Sequence, residues 1–169
     1  GSGQTIIRQS LENKFFERFI GTDGMVSEKL IERIGLKGLK TSFFSRPASS
    51  KTSASEKFDK IYSAFSKHKL KSIFIREAYD ATMILALAIQ KAGSDDRAKV
   101  QANIRNVANA GGEVIEPGEW AKALEAISSG KDINYNGAAG EHEMDKNGDV
   151  PGVFGHFIVQ MGNTFKQVK

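Results

Sequence analysis

The amino-acid sequence predicts an α/β fold with a largely parallel sheet, on three observations. Segments with 3.6-residue apolar periodicity alternate with short extended apolar segments. Glycine, proline and serine clusters punctuate them. The composition, 40% hydrophobic and 26% charged over 169 residues, is that of a globular chain long enough to bury a core.

The elements follow in order. Ile7, Leu11 and Phe15 form the apolar stripe of a first helix, and Gly1-Ser2-Gly3 before it has the look of a cloning scar. A strand is expected over 18–21, ending at the loop Thr22-Asp23-Gly24. Ser27 suits an N-cap and Glu28 the first turn of the next helix. Leu30, Ile31 and Ile34 make its buried face, and Gly35 can take the left-handed C′ position. The next strand is expected over 39–45. Residues 46–53 then turn polar, serine-rich and proline-broken, as a linker or a crossing between subdomains does.

Beyond the linker the helical periodicity is clear. Phe58, Ile61, Tyr62 and Phe65 share one face. A short apolar segment, Ser72 to Ile75, precedes a nearly all-apolar helix from Ala81 to Ala92. Ser94 can cap the next helix, whose stripe is Val100, Ile104, Val107 and Ala108 and whose stop is Gly111-Gly112. Trp120, Leu124 and Ile127 line another, ended by Gly130. Alternation from Val153 to Met161 reads as a strand, and 163–168 can pair back through the turn at 161–163. There are no internal repeats.

Several classes of function are excluded at this level. The chain has no cysteine, so disulfides, thiolate metal sites and cysteine nucleophiles are out. No apolar run reaches the length of a membrane helix. The net charge of +4 is uneven, +7 over residues 1–71 and −3 over the rest. Lys29, Arg33, Lys37, Lys57, Lys60 and Lys67 fall at helical spacing, as solvated faces do, without the aromatic interleaving of a nucleic-acid surface. Asp145-Lys146-Asn147-Gly148-Asp149 lacks the glycine at the sixth and glutamate at the twelfth place of a calcium loop, and reads as a tight turn. His142-Glu143 has no second ligand at helical spacing, and His68 lies among lysines as a solvated residue. No nucleophile elbow, phosphate loop or dinucleotide fingerprint is present, so no enzyme is expected, and no cofactor or metal.

Four phrases, in order, resemble the branched-chain amino-acid-binding family of type I periplasmic solute-binding proteins. They are residues 19–25 (FIGTDGM), 78–81 (AYDA) opening the helix that runs to 92–94, 115–120 (IEPGEW), and 133–140 (INYNGAAG) followed by 144–150. The resemblance covers residues 4–169. It implies two Rossmann-like α/β lobes joined by crossings, of which this chain would be the C-terminal half. Residues 4–46 would belong to the second lobe, 47–143 to the first, and 144–169 to the closing strands of the second. It implies, further, a small polar ligand held between the lobes, an ABC permease as partner, a periplasmic location, and the missing N-terminal half as a complementing chain. A sensor of amides or related metabolites is the alternative within the same fold.

Asp23 is the leading site candidate. It follows a strand end, where open α/β sheets place ligands, and a carboxylate there can hold a ligand ammonium. Relatives carry an acid at the matching point, and the structural alternative is an Asx-turn before Gly24. Gly24 would let the backbone approach the ligand. Phe74 matches a position where relatives place an aromatic against the ligand, although its apolar neighbours also suit a core residue. Glu77 could face the same cleft or simply complement the helix dipole. Tyr79 and Asp80 read as residues of helix entry and packing.

Overall fold

The computed structural model describes residues 2–48, 51–67, 74–162 and 164–168. The chain divides into two compact units, Gly1–Ala48 with Gly152–Lys169, and Ser49–Pro151. In chain order the first unit opens with α1 (Ser2–Glu12), β1 (Ile20–Gly21), α2 (Glu28–Ile34), α3 (Leu36–Leu39) and β2 (Phe43–Pro47). The second holds α4 (Ser53–Phe65), α5 (Ile75–Ala92), α6 (Arg97–Ala108), β3 (Glu113–Ile115), α7 (Trp120–Ser128) and β4 (Ile133–Tyr135). The chain then returns to the first unit with β5 (Phe154–Gln160) and β6 (Thr164–Gln167).

The first unit is a four-stranded sheet in the order β1-β2-β5-β6. Only β1 and β2 are parallel; β2–β5 and β5–β6 are antiparallel, the latter through the turn the sequence predicts. Strand alternation puts Phe44, Phe157 and Val159 on one face, where they pack with Ile7, Leu30, Ile31 and Leu39 of the helices. Phe44 meets Phe165 edge-on at 5.1 Å between centroids. Gly21 is required beside it, because a Cβ there would run into the buried Phe44 ring.

Two expectations for this unit are corrected. α1 starts at Ser2 and stops at Glu12, so Phe15 lies off the helix and is 68% exposed. The stop is a Schellman motif: the Phe15 amide donates to the Ser10 carbonyl, the Lys14 amide to Leu11, and Lys14 sits at φ 56°. A lysine in the place glycine usually fills gives no warning in the sequence. β2 also begins four residues later than predicted. Leu39 ends a short helix with its side chain fully buried, and the strand runs on through Arg46 to Pro47, opposite Phe154. Proline is tolerated at this strand terminus, since it lacks the amide that a strand interior needs.

In the second unit α5 and α6 pack over a two-stranded parallel sheet, with α7 as the crossover from β3 to β4. Ile84, Leu87, Val100, Val107, Ile115, Ile133 and Tyr135 are among the core residues. Gly112 lets the strands meet, for a Cβ there would be 2.5 Å from the backbone at Asp132 and Ile133. α4 starts with a capping box in which Thr52 accepts from the Ser55 amide and the Ser55 hydroxyl accepts from Thr52. The cap of α6 is Asp96, which accepts from the Lys99 amide, rather than Ser94, which accepts from Asp96. α5 opens at Ile75, six residues ahead of Ala81. Ser72 and Ile73 of the predicted apolar segment, like His68, lie outside the described residues. The sheets are thus mixed overall, with two parallel and two antiparallel pairings among the described strands.

Candidate functional site

Asp23 and Gly24 lie in a single 3₁₀ turn, Asp23–Met25, directly after β1. The turn closes through backbone: the Met25 amide donates to Thr22 and the Val26 amide to the Asp23 carbonyl. The Asp23 side chain is half-buried, and among the described residues its carboxylate accepts no hydrogen bond and joins no ion pair. The Asx-turn expected as the structural alternative is therefore not made. Gly24 is exposed, with nothing within 4 Å of a Cβ built on it.

Phe74 and Glu77 belong to the second unit, at the start of α5. Phe74 is the residue before the helix, 41% exposed and left-handed at φ 68°, ψ 12°, a strained conformation for a bulky side chain. Its carbonyl accepts from the Ala78 amide, which closes the first helical turn. Glu77 is half-buried in that turn, where its charge complements the helix dipole.

The residue that sequence reasoning undervalued is Asp80. Its side chain is wholly buried, yet it is satisfied on both oxygens. Oδ1 accepts from the Tyr135 hydroxyl at 2.9 Å and the Ala138 amide at 2.8 Å. Oδ2 accepts from the Ala139 amide at 2.7 Å and lies 3.6 Å from Nε2 of His142. Burial pushes the Asp80 carboxyl above the usual carboxylate range, against the pull of the Ala139 and Ala138 amides and Tyr135. Burial first, and then the Asp80 charge, likewise raises Tyr135. The arrangement fastens the loop after β4 to α5. Its signal was present in the sequence, an acid amid apolar helix residues and a tyrosine before a glycine-rich loop, but the separation of 55 positions hid the pairing.

A second charged cluster ties α4 to the loop before α7. Lys57 Nζ lies 2.6 Å from Glu116 and 2.8 Å from Glu119, and the Ser53 hydroxyl donates to Glu116 at 2.7 Å. The Lys57 hydrogen bonds hold both carboxyls below their ordinary value. The Asp145 turn closes on itself, its Oδ1 accepting from the Asn147 and Asp149 amides. Among the described residues no group of three His, Asp or Glu is placed to hold a metal ion, and no helix is long and apolar enough to cross a membrane.

Similarity to known proteins places this architecture. Over 98% of its length the chain superposes on a leucine-binding protein, LivK, of Thermotoga maritima, with a TM-score of 0.64 at 24% identity. It superposes over 99% on a type 1 periplasmic binding protein of Bordetella pertussis, with a TM-score of 0.61 at 14% identity. The substrate-binding protein LivJ of Streptococcus pneumoniae, solved with isoleucine, superposes over 98% with a TM-score of 0.55 at 16% identity. The chain spans 40%, 43% and 41% of those three proteins respectively. In sequence, 88 residues are 30% identical to BasB, a substrate-binding protein of a chemotactic signal transduction system in Halobacterium salinarum; they are 52% of this chain and 21% of BasB. The family model described as the receptor family ligand binding region matches residues 4–157. The chain therefore belongs to that family, and its fold is that of the type I periplasmic binding proteins.

Proposed function

We propose that the chain is part of the substrate-binding component of an ABC transporter, and that this component takes up a small polar metabolite, an amino acid or a relative. The observation that carries the reading is Asp23, a half-buried carboxylate just past the C-terminal end of a parallel strand, without a partner among the described residues. Strand ends of this kind are where open α/β sheets receive ligands, and a lone carboxylate suits an ammonium group. Gly24 admits the ligand to the backbone, and Phe74 and Glu77 contribute an aromatic face and a second acid. Residues 4–46 and 144–169 belong on this reading to one lobe of the whole protein and 47–143 to the other. The partners are an ABC permease and the remainder of the two-lobed protein, in the periplasm.

A second reading, a metabolite sensor that signals to a regulator, is favoured by the likeness to the chemotactic substrate-binding protein. Co-purification of the whole protein with a permease or with a signalling receptor separates the two.

Thermal-shift measurements with a panel of amino acids, their amides and simple carboxylates test the ligand class, since a ligand that binds only the native state raises its melting temperature. Asp23→Asn is expected to weaken an amino-bearing ligand by roughly 2–4 kcal/mol, the range for removing one side of a buried charge pair. The fold should be retained. Unchanged affinity removes Asp23 from the site.

A further inference from the structure

We infer that the end of the first unit's sheet remote from Asp23 is a docking surface for an anionic lipid bilayer, with Phe15 and Phe16 as apolar anchors among Lys14, Arg18, Lys37 and Lys40.

The parallel pairing of β1 and β2 gathers these residues. Residues 13–19 lead into β1 and residues 36–42 lead into β2, so both segments lie at the end of the sheet where the two strands begin. The Asp23 turn follows β1 and lies at the other end. Hydrogen bonds hold the two segments side by side. The Thr41 hydroxyl donates to the Glu17 carbonyl at 2.9 Å, the Phe19 amide to the Ser42 hydroxyl at 3.1 Å, and the Phe43 amide to the Phe19 carbonyl at 3.1 Å. The Schellman turn at Lys14 fixes where the first segment leaves α1, and α3 sits against the last turn of α1, where a Cβ on Gly38 would lie 2.8 Å from Leu11.

On this tethered frame Phe15 and Phe16 are 68% and 64% exposed, although Phe19, three residues on, packs against the core. Two adjacent exposed phenylalanines are unfavourable in water, and apolar patches rimmed by polar groups mark interaction sites. The charges beside them choose the partner. Four cations, Lys14, Arg18, Lys37 and Lys40, stand against two acids, Glu12 and Glu17, and all six are exposed. None of the four cations makes an ion pair or a side-chain hydrogen bond among the described residues. Aromatic side chains that enter the interfacial layer, with cations facing the lipid phosphates, are the combination by which a protein lies on an anionic bilayer. Contact at this end of the sheet leaves the Asp23 end clear.

Flotation of the chain with lipid vesicles tests this, below the concentration at which it self-associates. At least about tenfold more chain is expected on phosphatidylcholine vesicles that carry phosphatidylglycerol as about a third of the lipid than on phosphatidylcholine alone. Salt near 1 M, where the screening length falls to about 3 Å, should remove the difference. Arg18→Glu with Lys40→Glu should reduce binding to the level of neutral vesicles. Lys29→Glu with Lys99→Glu makes the same charge change away from this end of the sheet and should leave most of the binding. Phe15→Ser with Phe16→Ser should weaken it about tenfold or more, through lost apolar burial. Circular dichroism of each variant checks that the fold is kept. No binding to either vesicle overturns the inference. So does equal loss in the two charge-reversed pairs, which would mean a diffuse attraction, and so does binding indifferent to both phenylalanines. Tighter binding to a single-stranded oligonucleotide than to the vesicles would assign the surface to nucleic acid and overturn it as well.

Discussion

The hydroxyl of Tyr135 donates to Oδ1 of Asp80 over 2.9 Å, joining the end of β4 to the second turn of α5 across 55 positions of sequence. Because the Ala138 and Ala139 amides share the same carboxylate, Asp80 holds three donors that have no other hydrogen-bond partner among the described residues. Asp80→Ala is therefore expected to cost about 3 kcal/mol or more, through stranded buried donors, and Tyr135→Phe about 1–2 kcal/mol. Urea unfolding monitored by circular dichroism measures both. Equal and small effects would mean that water replaces the carboxylate.

Gly137 is the point at which the same loop presses on Asp80. A Cβ there would lie 2.5 Å from the Asp80 carboxyl and 2.6 Å from the His142 ring. Gly137→Ala should destabilise by about 2 kcal/mol or more, as overpacking of a fixed site does. Gly24→Ala, which meets nothing within 4 Å, should leave the melting temperature unchanged. A melting curve for each variant suffices.

Acid stability should carry two opposed contributions. Glu116 and Glu119 titrate below their usual 4.5 because Lys57 hydrogen-bonds to both. A depressed native pKa contributes stability above the unfolded value and loses it as the pH falls through the native one. Lys57→Met should therefore flatten the loss of stability below about pH 4.5. Asp80 has the opposite sign: burial raises it above 3.8, so its contribution is full below that pH and fades as the pH rises through the raised value. Asp80→Asn should remove that fading, read as the urea midpoint between about pH 3 and 7.

The second unit shows apolar side chains on helix faces that none of its described residues covers. Leu85 and Ile89 are 50% and 40% exposed on α5, and Phe65 is 93% exposed at the end of α4, although Phe58 of the same predicted face is buried. Exposed patches beyond a few hundred Å² tend to find partners. The isolated chain is expected to self-associate at tens of micromolar, and Leu85→Glu with Ile89→Lys to reduce this. Sedimentation velocity of both forms decides it; a monodisperse wild type contradicts the expectation.

What the sequence determined by itself was periodic and local. α5, α6 and α7 were legible because three or four apolar residues recur at helical spacing in each, and β5 and β6 because alternation and Met161-Gly162 mark a hairpin. The family was legible because its phrases span most of the chain in order. Tertiary structure alone decided the rest. β3 and β4, at three residues each, are too short for any period to register, and exist because their backbones pair across a glycine that lets them touch. Leu39 became helix rather than strand because the core of the first unit needed its side chain. Asp80 looked like a helix-entry residue until folding delivered three donors to it, since long-range hydrogen bonds leave no trace in local spacing. Arg46 read as the start of a linker for the same reason: only the pairing of β2 with β5 sets it inside a strand, opposite Gly155.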